Sequence, residues 1–310
     1  MSPLLVFGSI NLDLSLPVPH LPAVGETLLG GAALLSPGGK GANQAHAARR
    51  YGAVVRMAGA VGDDALADAA LAGLKAAGVD LTGVRRLPGE ATGVALIQVT
   101  PGGDNAIAVG PGANARAKAA DVDDAALDGV DLLLQGEVPL AESMALARRA
   151  RARGARVTLN LAPAHEASAL DPAAIDRLVV NEVELQMLTA SAGPAEAPAR
   201  ARDWAARHGV TVIVTHGAGG ASLHPPAGPS LAVPAPPTAV LDTTGAGDTF
   251  CGVLAAALAQ GESLPQALHR AVLAGSWACR SAGAQRAQPD RAAVLAAEDD
   301  PSVLLQPVRL

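Results

Sequence analysis

The chain is 310 residues long and 50% apolar, yet it holds only two tryptophans, one tyrosine and two phenylalanines, so its core must be built from aliphatic side chains. That much aliphatic surface closes a sizeable core and excludes an intrinsically disordered chain. A formal net charge of −6 argues against a general binder of nucleic acid or of an anionic membrane surface, either of which needs an excess of cations.

In chain order, Leu4–Phe7 reads as a first strand that ends at Gly8. The apolar character stops at Asn11 and Asp13 with no basic residues before it, so no secretory signal is read. Residues 12–36 hold scattered prolines and glycines between short apolar pieces. Residues 54–60 read as a strand and 64–77 as a helix, with Leu66, Ala70, Leu74 and Ala77 on one face. Residues 92–100 and 105–110 read as two short strands joined by the turn Pro101-Gly102-Gly103. Further strands are expected at 130–134, 156–161, 178–180 and 210–215, with a helix at 142–153 and another carrying Trp204. Residues 225–237 are proline-rich and read as a surface loop with an edge strand.

Continuous apolar strands separated by amphipathic helices imply an α/β fold whose parallel sheet is covered on both faces. One domain, 1–310, is expected. The segments 12–36 and 90–110 break its rhythm and suggest a small inserted β-sheet, placed to cover a cleft at the strand ends. Cys251 and Cys279 make neither a metal spacing nor a disulfide framework. No apolar run reaches the ~18 residues of a membrane span, and the chain reads as a soluble cytoplasmic enzyme.

Five segments carry chemistry. In Gly8-Ser9-Ile10-Asn11-Leu12-Asp13, period-two spacing puts Asn11 and Asp13 on one side of an extended segment at the end of the first strand, where open α/β sheets bind ligands. In Gly38-Gly39-Lys40-Gly41-Ala42-Asn43-Gln44, glycines beside Lys40 and Asn43 suit a polyol. It is not a Walker A loop, because Gly41 follows the lysine where Ser or Thr is required. A plain glycine turn explains the same run.

Asn181 and Glu184, three apart at a helix start, suit a metal–phosphate unit held through water, and equally suit a reciprocal helix cap. The small-residue loop Thr215-His216-Gly217-Ala218-Gly219-Gly220 suits a nucleotide or a simple hairpin turn, and His216 reads as no metal site. In Asp242-Thr243-Thr244-Gly245-Ala246-Gly247-Asp248, the small residues open a helix whose free N–H groups favour anions. A carboxylate there makes sense if Asp248 takes a proton from an attacking hydroxyl while the amides stabilise a transferred phosphoryl group. A glycine turn with Asp248 as a helix cap remains the alternative. The basic run Arg148, Arg149, Arg151, Arg153 and Arg156 lies on a helix and its exit and reads as a solvated face.

Together these residues resemble the ribokinase-like (phosphofructokinase B-type) carbohydrate kinases over essentially the whole chain. The signatures are the glycine pair with its Lys40 and Asn43 neighbourhood and the Asp242 to Asp248 run, with Asn181 and Glu184 between them in the expected order. Gly8-Ser9-Ile10-Asn11, the run from Gly38 to Ala45, Thr92-Gly93-Val94-Ala95-Leu96 and Gly112-Ala113-Asn114-Ala115 are similar to runs of the family's ribose-phosphorylating branch.

The resemblance implies a three-layer α/β/α sandwich with a mostly parallel sheet and a small projecting β-sheet lid. It implies transfer of the γ-phosphoryl group of ATP to the 5-hydroxyl of D-ribose by in-line attack. Asn11, Asp13, Gly38, Gly39, Lys40, Asn43 and Glu137 would surround the sugar. Asp248 would be the base, and the amides of Gly245, Ala246 and Gly247 the anion hole. Asn181, Thr215, His216, Gly217, Ala218, Gly219, Gly220 and Gly247 would contact ATP, with Glu184 helping to organise Mg²⁺. A K⁺ site would draw on Asp242 and the carbonyl of Thr244, with carbonyls near Ala278, Ser281 and Gly283, and Ala287 standing where the family has a serine. A homodimer through the lid is implied as well.

Two other readings stay open. A kinase of deoxyribose, fructose or adenosine would use the same machinery. Segments 12–36 and 92–110 contain no Lys or Arg for a sugar phosphate, and no aromatic residue to stack a base. A non-catalytic sugar or nucleotide sensor would keep the fold without the reaction, against the joint presence of Asp248, Asn181, Glu184 and both glycine loops. Dinucleotide binding is disfavoured, since no Gly-x-Gly-x-x-Gly follows the first strand.

Overall fold

Leu4–Phe7 (β1) is buried along its whole length, as consecutive apolar residues require when both faces of a sheet are covered. Its side chains alternate: Leu4 and Val6 enter the hydrophobic cluster on one face, Leu5 and Phe7 the cluster on the other. The computed structural model describes residues 2–189, 197–299 and 308–309.

The strands that follow are β2 (Asn11–Pro17), β3 (Leu34–Gly38), β4 (Val55–Gly62), β5 (Asp80–Leu87), β6 (Gly93–Val99) and β7 (Asn105–Gly110). Then come β8 (Asp131–Gln135), β9 (Arg156–Asn160), β10 (Arg177–Asn181), β11 (Thr211–Thr215), β12 (Ala221–His224), β13 (Leu231–Val233) and β14 (Val308–Arg309). The helices are α1 (Lys40–Arg50), α2 (Ala67–Ala77), α3 (Leu140–Arg151), α4 (Glu182–Thr189), α5 (Ala197–His208), α6 (Ala246–Ala259), α7 (Leu264–Ala278) and α8 (Arg291–Glu298).

A sheet of 10 strands runs in the order β14-β13-β12-β11-β10-β9-β8-β1-β4-β5. From β11 to β5 every neighbouring pair is parallel, while β12, β13 and β14 add an antiparallel edge. Residues of α1, α2, α6 and α7 fill the cluster on one face and residues of α3 and α5 fill the other, which makes the expected three-layer α/β/α sandwich.

The segments that break the α/β rhythm form a separate sheet of 4 strands, ordered β3-β2-β6-β7. The two strands expected over 92–110 are β6 and β7, paired antiparallel, and β2 and β3 pair antiparallel too, but the two segments are joined by parallel pairing, from Asn11 opposite Gly93 to Pro17 opposite Val99. The sheet is rooted where β1 ends, where α1 begins and beside β4, so it stands at the carboxyl ends of the central strands.

Some boundaries move for local reasons. The helix expected over 64–77 starts at Ala67, because Asp64 Oδ1 accepts the N–H groups of Leu66 and Ala67 and so closes the preceding turn. The helix expected over 142–153 runs Leu140–Arg151, entered directly after Pro139. The basic run is neutralised in place: Arg148 meets Asp171 at 2.8 Å, Arg151 meets Asp176 at 2.7 Å and Arg153 meets Asp128 at 2.6 Å. Arg149 and Arg156 bond Asp124 and Asp131 in the same way. Among the described residues no helix is long and apolar enough to cross a membrane.

Candidate active site

The first half of the site forms where β1 and β8 end. Glu137, just past β8, is fixed from three sides: Ser9 Oγ donates to Glu137 Oε2 at 2.6 Å, the Lys40 N–H donates to the same oxygen at 3.2 Å, and Gln135 Oε1 accepts the Glu137 N–H at 2.6 Å. Asn11 and Asp13, two apart on β2, are both buried, as their period-two placement on the site side of the strand predicts. Asn114 reaches across to Asn11: its Nδ2 donates to Asn11 Oδ1 at 2.7 Å, and its Oδ1 accepts the Ile10 N–H at 2.8 Å. Glu137 and Asp13 belong to the same cluster, while Asn114, quoted in the sequence within the run Gly112–Ala115, was given no site role there.

The electrostatics of this cluster are unbalanced. Burial, then the negative charges of Glu137 and Asp248, raise the Asp13 carboxyl to about 6, against a weaker downward pull from Lys40. Lys40 is raised as well: the Asp248 carboxylate lifts its ammonium, with Glu137 and Glu184 adding to it, against the opposing effect of burial. One cation therefore serves several acids, an arrangement suited to a neutral ligand rich in hydroxyl donors.

The second half is the start of α6. Gly245 is its N-cap, with φ 74° and ψ 5°, in the left-handed region; a Cβ there would lie 2.8 Å from Ala284 Cα, so only glycine fits. Thr249 closes the first helical bond onto Gly245 O at 2.8 Å, and the Ala246 N–H rests on Thr243 O at 3.2 Å, a long contact that an anion would compete with. Asp248, in the first turn, is buried, and both its oxygens are engaged. Asn43 Nδ2 donates to Oδ2 at 3.0 Å and Gln44 Nε2 donates to Oδ1 at 3.1 Å. Helices α1 and α6 come this close because Gly252 has no side chain: a Cβ there would sit 2.4 Å from the Gln44 carbonyl oxygen.

Behind the start of α6 lies a cavity of ≈ 620 Å³. Thr215, Gly217, Ala218 and Gly220 line it from the β11–β12 turn, Pro236, Pro237 and Thr238 from the chain after β13, and Ala246, Gly247 and Phe250 from α6. Ser276 and Cys279 close it from α7. The α6 N-terminus is therefore a wall shared by this cavity and the acid cluster.

Two loop residues expected here, His216 and Gly219, do not line the cavity. The His216 ring, read from sequence as standing alone, is held between neighbours: Nδ1 is 2.8 Å from Glu182 Oε1 and Nε2 is 2.7 Å from Ser222 Oγ. The chain continues through His224 to Ser230 Oγ, all buried. Asn181 and Glu184 make the reciprocal cap that was one of the two readings, with the Asn181 N–H on Glu184 Oε2 and the Glu184 N–H on Asn181 Oδ1, each 2.8 Å. Burial raises the Glu184 carboxyl, against the Asn181 hydrogen bond and the field of Lys40.

Of the residues expected to hold a monovalent cation, Asp242, Thr244 and Gly283 converge: Asp242 Oδ1 accepts the Thr244 N–H at 2.9 Å and Oδ2 accepts the Gly283 N–H at 2.8 Å. Partial burial opposes these bonds, yet the Asp242 carboxyl is held below its usual range. The Ser281 N–H turns back onto Ala278 O at 3.4 Å and the Ala287 N–H onto Gly283 O at 3.2 Å, so these two carbonyls already accept backbone donors. Among the described residues no group of three or more His, Cys, Asp or Glu is arranged to hold a metal ion.

Comparison with known proteins follows this geometry. The model of the pfkB family carbohydrate kinases matches residues 1–291. The chain is similar to a ribokinase of Haemophilus influenzae, 34% identical over 93% of this chain and 95% of that protein. It is similar to the same degree, 34%, to a deoxyribokinase of Salmonella typhi, over 92% of this chain and 94% of that one. Its fold superposes on the solved structure of an Arabidopsis thaliana ribokinase complexed with ribose and ATP with a TM-score of 0.83, at 31% identity and covering 95% of this chain and 98% of that one.

Proposed function

The chain belongs to the pfkB family of carbohydrate kinases, and from that premise we propose that it transfers the γ-phosphoryl group of ATP to the 5-hydroxyl of D-ribose, giving ribose 5-phosphate and ADP. The observation that carries this reading is the place of Asp248. It is a buried carboxylate in the first turn of α6, with the Asn11, Asp13, Lys40, Asn43 and Glu137 cluster on one side and the cavity lined by Gly247 on the other.

Asn11, Asp13, Lys40, Asn43 and Glu137, with the backbone of Gly38 and Gly39, hold the sugar hydroxyls and orient the primary alcohol towards Asp248. As the oxygen attacks phosphorus, Asp248 takes its proton, and the ADP oxygen leaves on the opposite side. The N–H groups of Gly245 and Gly247, with Ala246 sharing, meet the charge that develops on the transferred group. The nucleotide occupies the cavity lined by Thr215, Gly217, Ala218 and Gly220, with Asn181 nearby. Glu184 would hold Mg²⁺ through water, and Asp242 with the carbonyls of Thr244, Ala278, Ser281, Gly283 and Ala287 would hold K⁺; when bound, the divalent ion would supply charge neutralisation for the phosphates.

The lid supports one further part of the reading. Strand register places Leu34, Ile97 and Ile107 in one row, on the face that also carries Asn11 and Asp13. Ile107 is 57% and Val109 49% exposed, so this face offers apolar surface beyond what a small sugar covers. We assign it to a second copy of the chain, as a homodimer through the lid.

A purified-protein assay that follows ADP production with ribose, deoxyribose, fructose and adenosine tests the substrate. Deoxyribose is the competitor to weigh, because the deoxyribokinase is as similar as the ribokinase. The highest kcat/KM is expected on ribose, and a higher value on any other compound overturns that choice. Asp248→Asn is expected to lower kcat by about 10³-fold or more while leaving sugar binding intact; substantial turnover in that variant removes Asp248 from the role of base.

A further inference from the structure

Gln44 lies in the glycine-lysine motif, yet no role falls to it in holding the sugar or nucleotide. It is fully buried on α1, so it faces neither, and its side chain instead reaches Asp248. The direction of its amide is dictated from a distance. The Val179 carbonyl can only accept, so Asn160 must turn its Nδ2 towards it, at 3.2 Å. That leaves Asn160 Oδ1 as an acceptor, and Gln44 must present its Nε2 there, at 2.9 Å. The second hydrogen of the same nitrogen then points at Asp248 Oδ1, 3.1 Å away. Asn43 is fixed likewise: its Oδ1 accepts from Gln285 Nε2 at 3.1 Å, which aims its Nδ2 at Asp248 Oδ2.

We propose that Gln44 is a positioning residue for Asp248, held by the chain Val179 carbonyl–Asn160–Gln44, and that it fixes the rotation of the carboxylate so that Oδ2 faces the attacking alcohol. Asn43 is assigned to the sugar as well as bonded to Asp248, whereas Gln44 is sealed from the cleft and reaches Asp248 as its one partner in the site. The proposal rests on the reading of Asp248 as base.

Gln44→Met keeps the length and removes the donors, and Asn160→Leu releases the Gln44 amide from the far end. Each is expected to lower kcat by about 10- to 100-fold, as loss of a hydrogen bond to a charged group implies, with KM for ribose and for ATP within twofold of wild type. The double variant is expected to be no worse than the poorer single one, because both cut the same chain. Should Gln44→Met fail to fold, Gln44→Leu removes the donors with a smaller apolar side chain and is expected to show the same loss of kcat. Gln44 variants with wild-type kcat, while Asp248→Asn is inactive, overturn this inference alone. A kcat loss with an equal rise in both KM values, or strictly additive single effects, also overturns it by marking a general loss of structure. Substantial turnover in Asp248→Asn would instead bring down the reading beneath it.

Discussion

Asn114 donates to the side chain of Asn11 across 103 residues of sequence, at 2.7 Å, while accepting the Ile10 N–H just before it. The amide of Asn11 is thereby fixed with its nitrogen towards the site. Asn114→Ala leaves a buried acceptor unpaired, and the loss of about 1–3 kcal/mol should appear as a rise in KM for ribose of roughly tenfold or more, with little change in kcat. An unchanged KM would mean that Asn11 is oriented by something else.

The state of Asp13 makes sugar affinity depend on pH. Its folded value of about 6 lies above the ordinary 3.8, so between these values the free protein keeps a proton that the unfolded chain has released. Stability of the free protein therefore falls as pH rises through that window. Sugar binding to the carboxylate form strengthens over the same window, so KM for ribose is expected to fall from pH 5 to pH 7 and then level off. Asp13→Asn should abolish the dependence. Steady-state kinetics at constant ionic strength decide it, and equal KM values at pH 5 and pH 7 count against Asp13 as an ionised sugar ligand.

Gly245 holds the left-handed conformation that starts α6. Gly245→Ala adds a strained backbone and a carbon 2.8 Å from Ala284 Cα, for a stability loss of about 1–3 kcal/mol. The first-turn amides shift with it, so kcat should fall more than the thermal midpoint suggests. Calorimetry beside kinetics checks this, and a variant with full activity would show that the anion cradle lies elsewhere.

Ile107 is half exposed on the site face of the lid. Ile107→Asp puts a charge into the face assigned to a second copy and is expected to halve the mass seen by light scattering without lowering the thermal midpoint. A wild-type protein that is monomeric at micromolar concentration, or a variant that remains a dimer, removes the lid as the interface.

The central strands were legible because burial on both faces leaves a run such as Leu4–Phe7 with no polar residue to interrupt it. The Asn181 and Glu184 cap was legible as one of two readings, since its spacing is local. What escaped was set by distance along the chain. The parallel join between β2 and β6 depends on pairing that neither segment encodes alone. Gln44 meets Asp248 across 204 residues, and His216 meets Glu182 across 34, so no spacing rule brings either pair together. His216 appeared solitary because its acidic partner, Glu182, comes from a different part of the fold.

The contact between Gly252 and the Gln44 carbonyl has a consequence for anyone moving this chemistry to another scaffold. A graft that copied only the polar groups onto two helices a carbon atom further apart would leave the amide short of its oxygen. What must be transplanted is an emptiness one turn behind Asp248, on the face of α6 that meets α1, and a Gly252→Ala exchange is the simplest way to erase it.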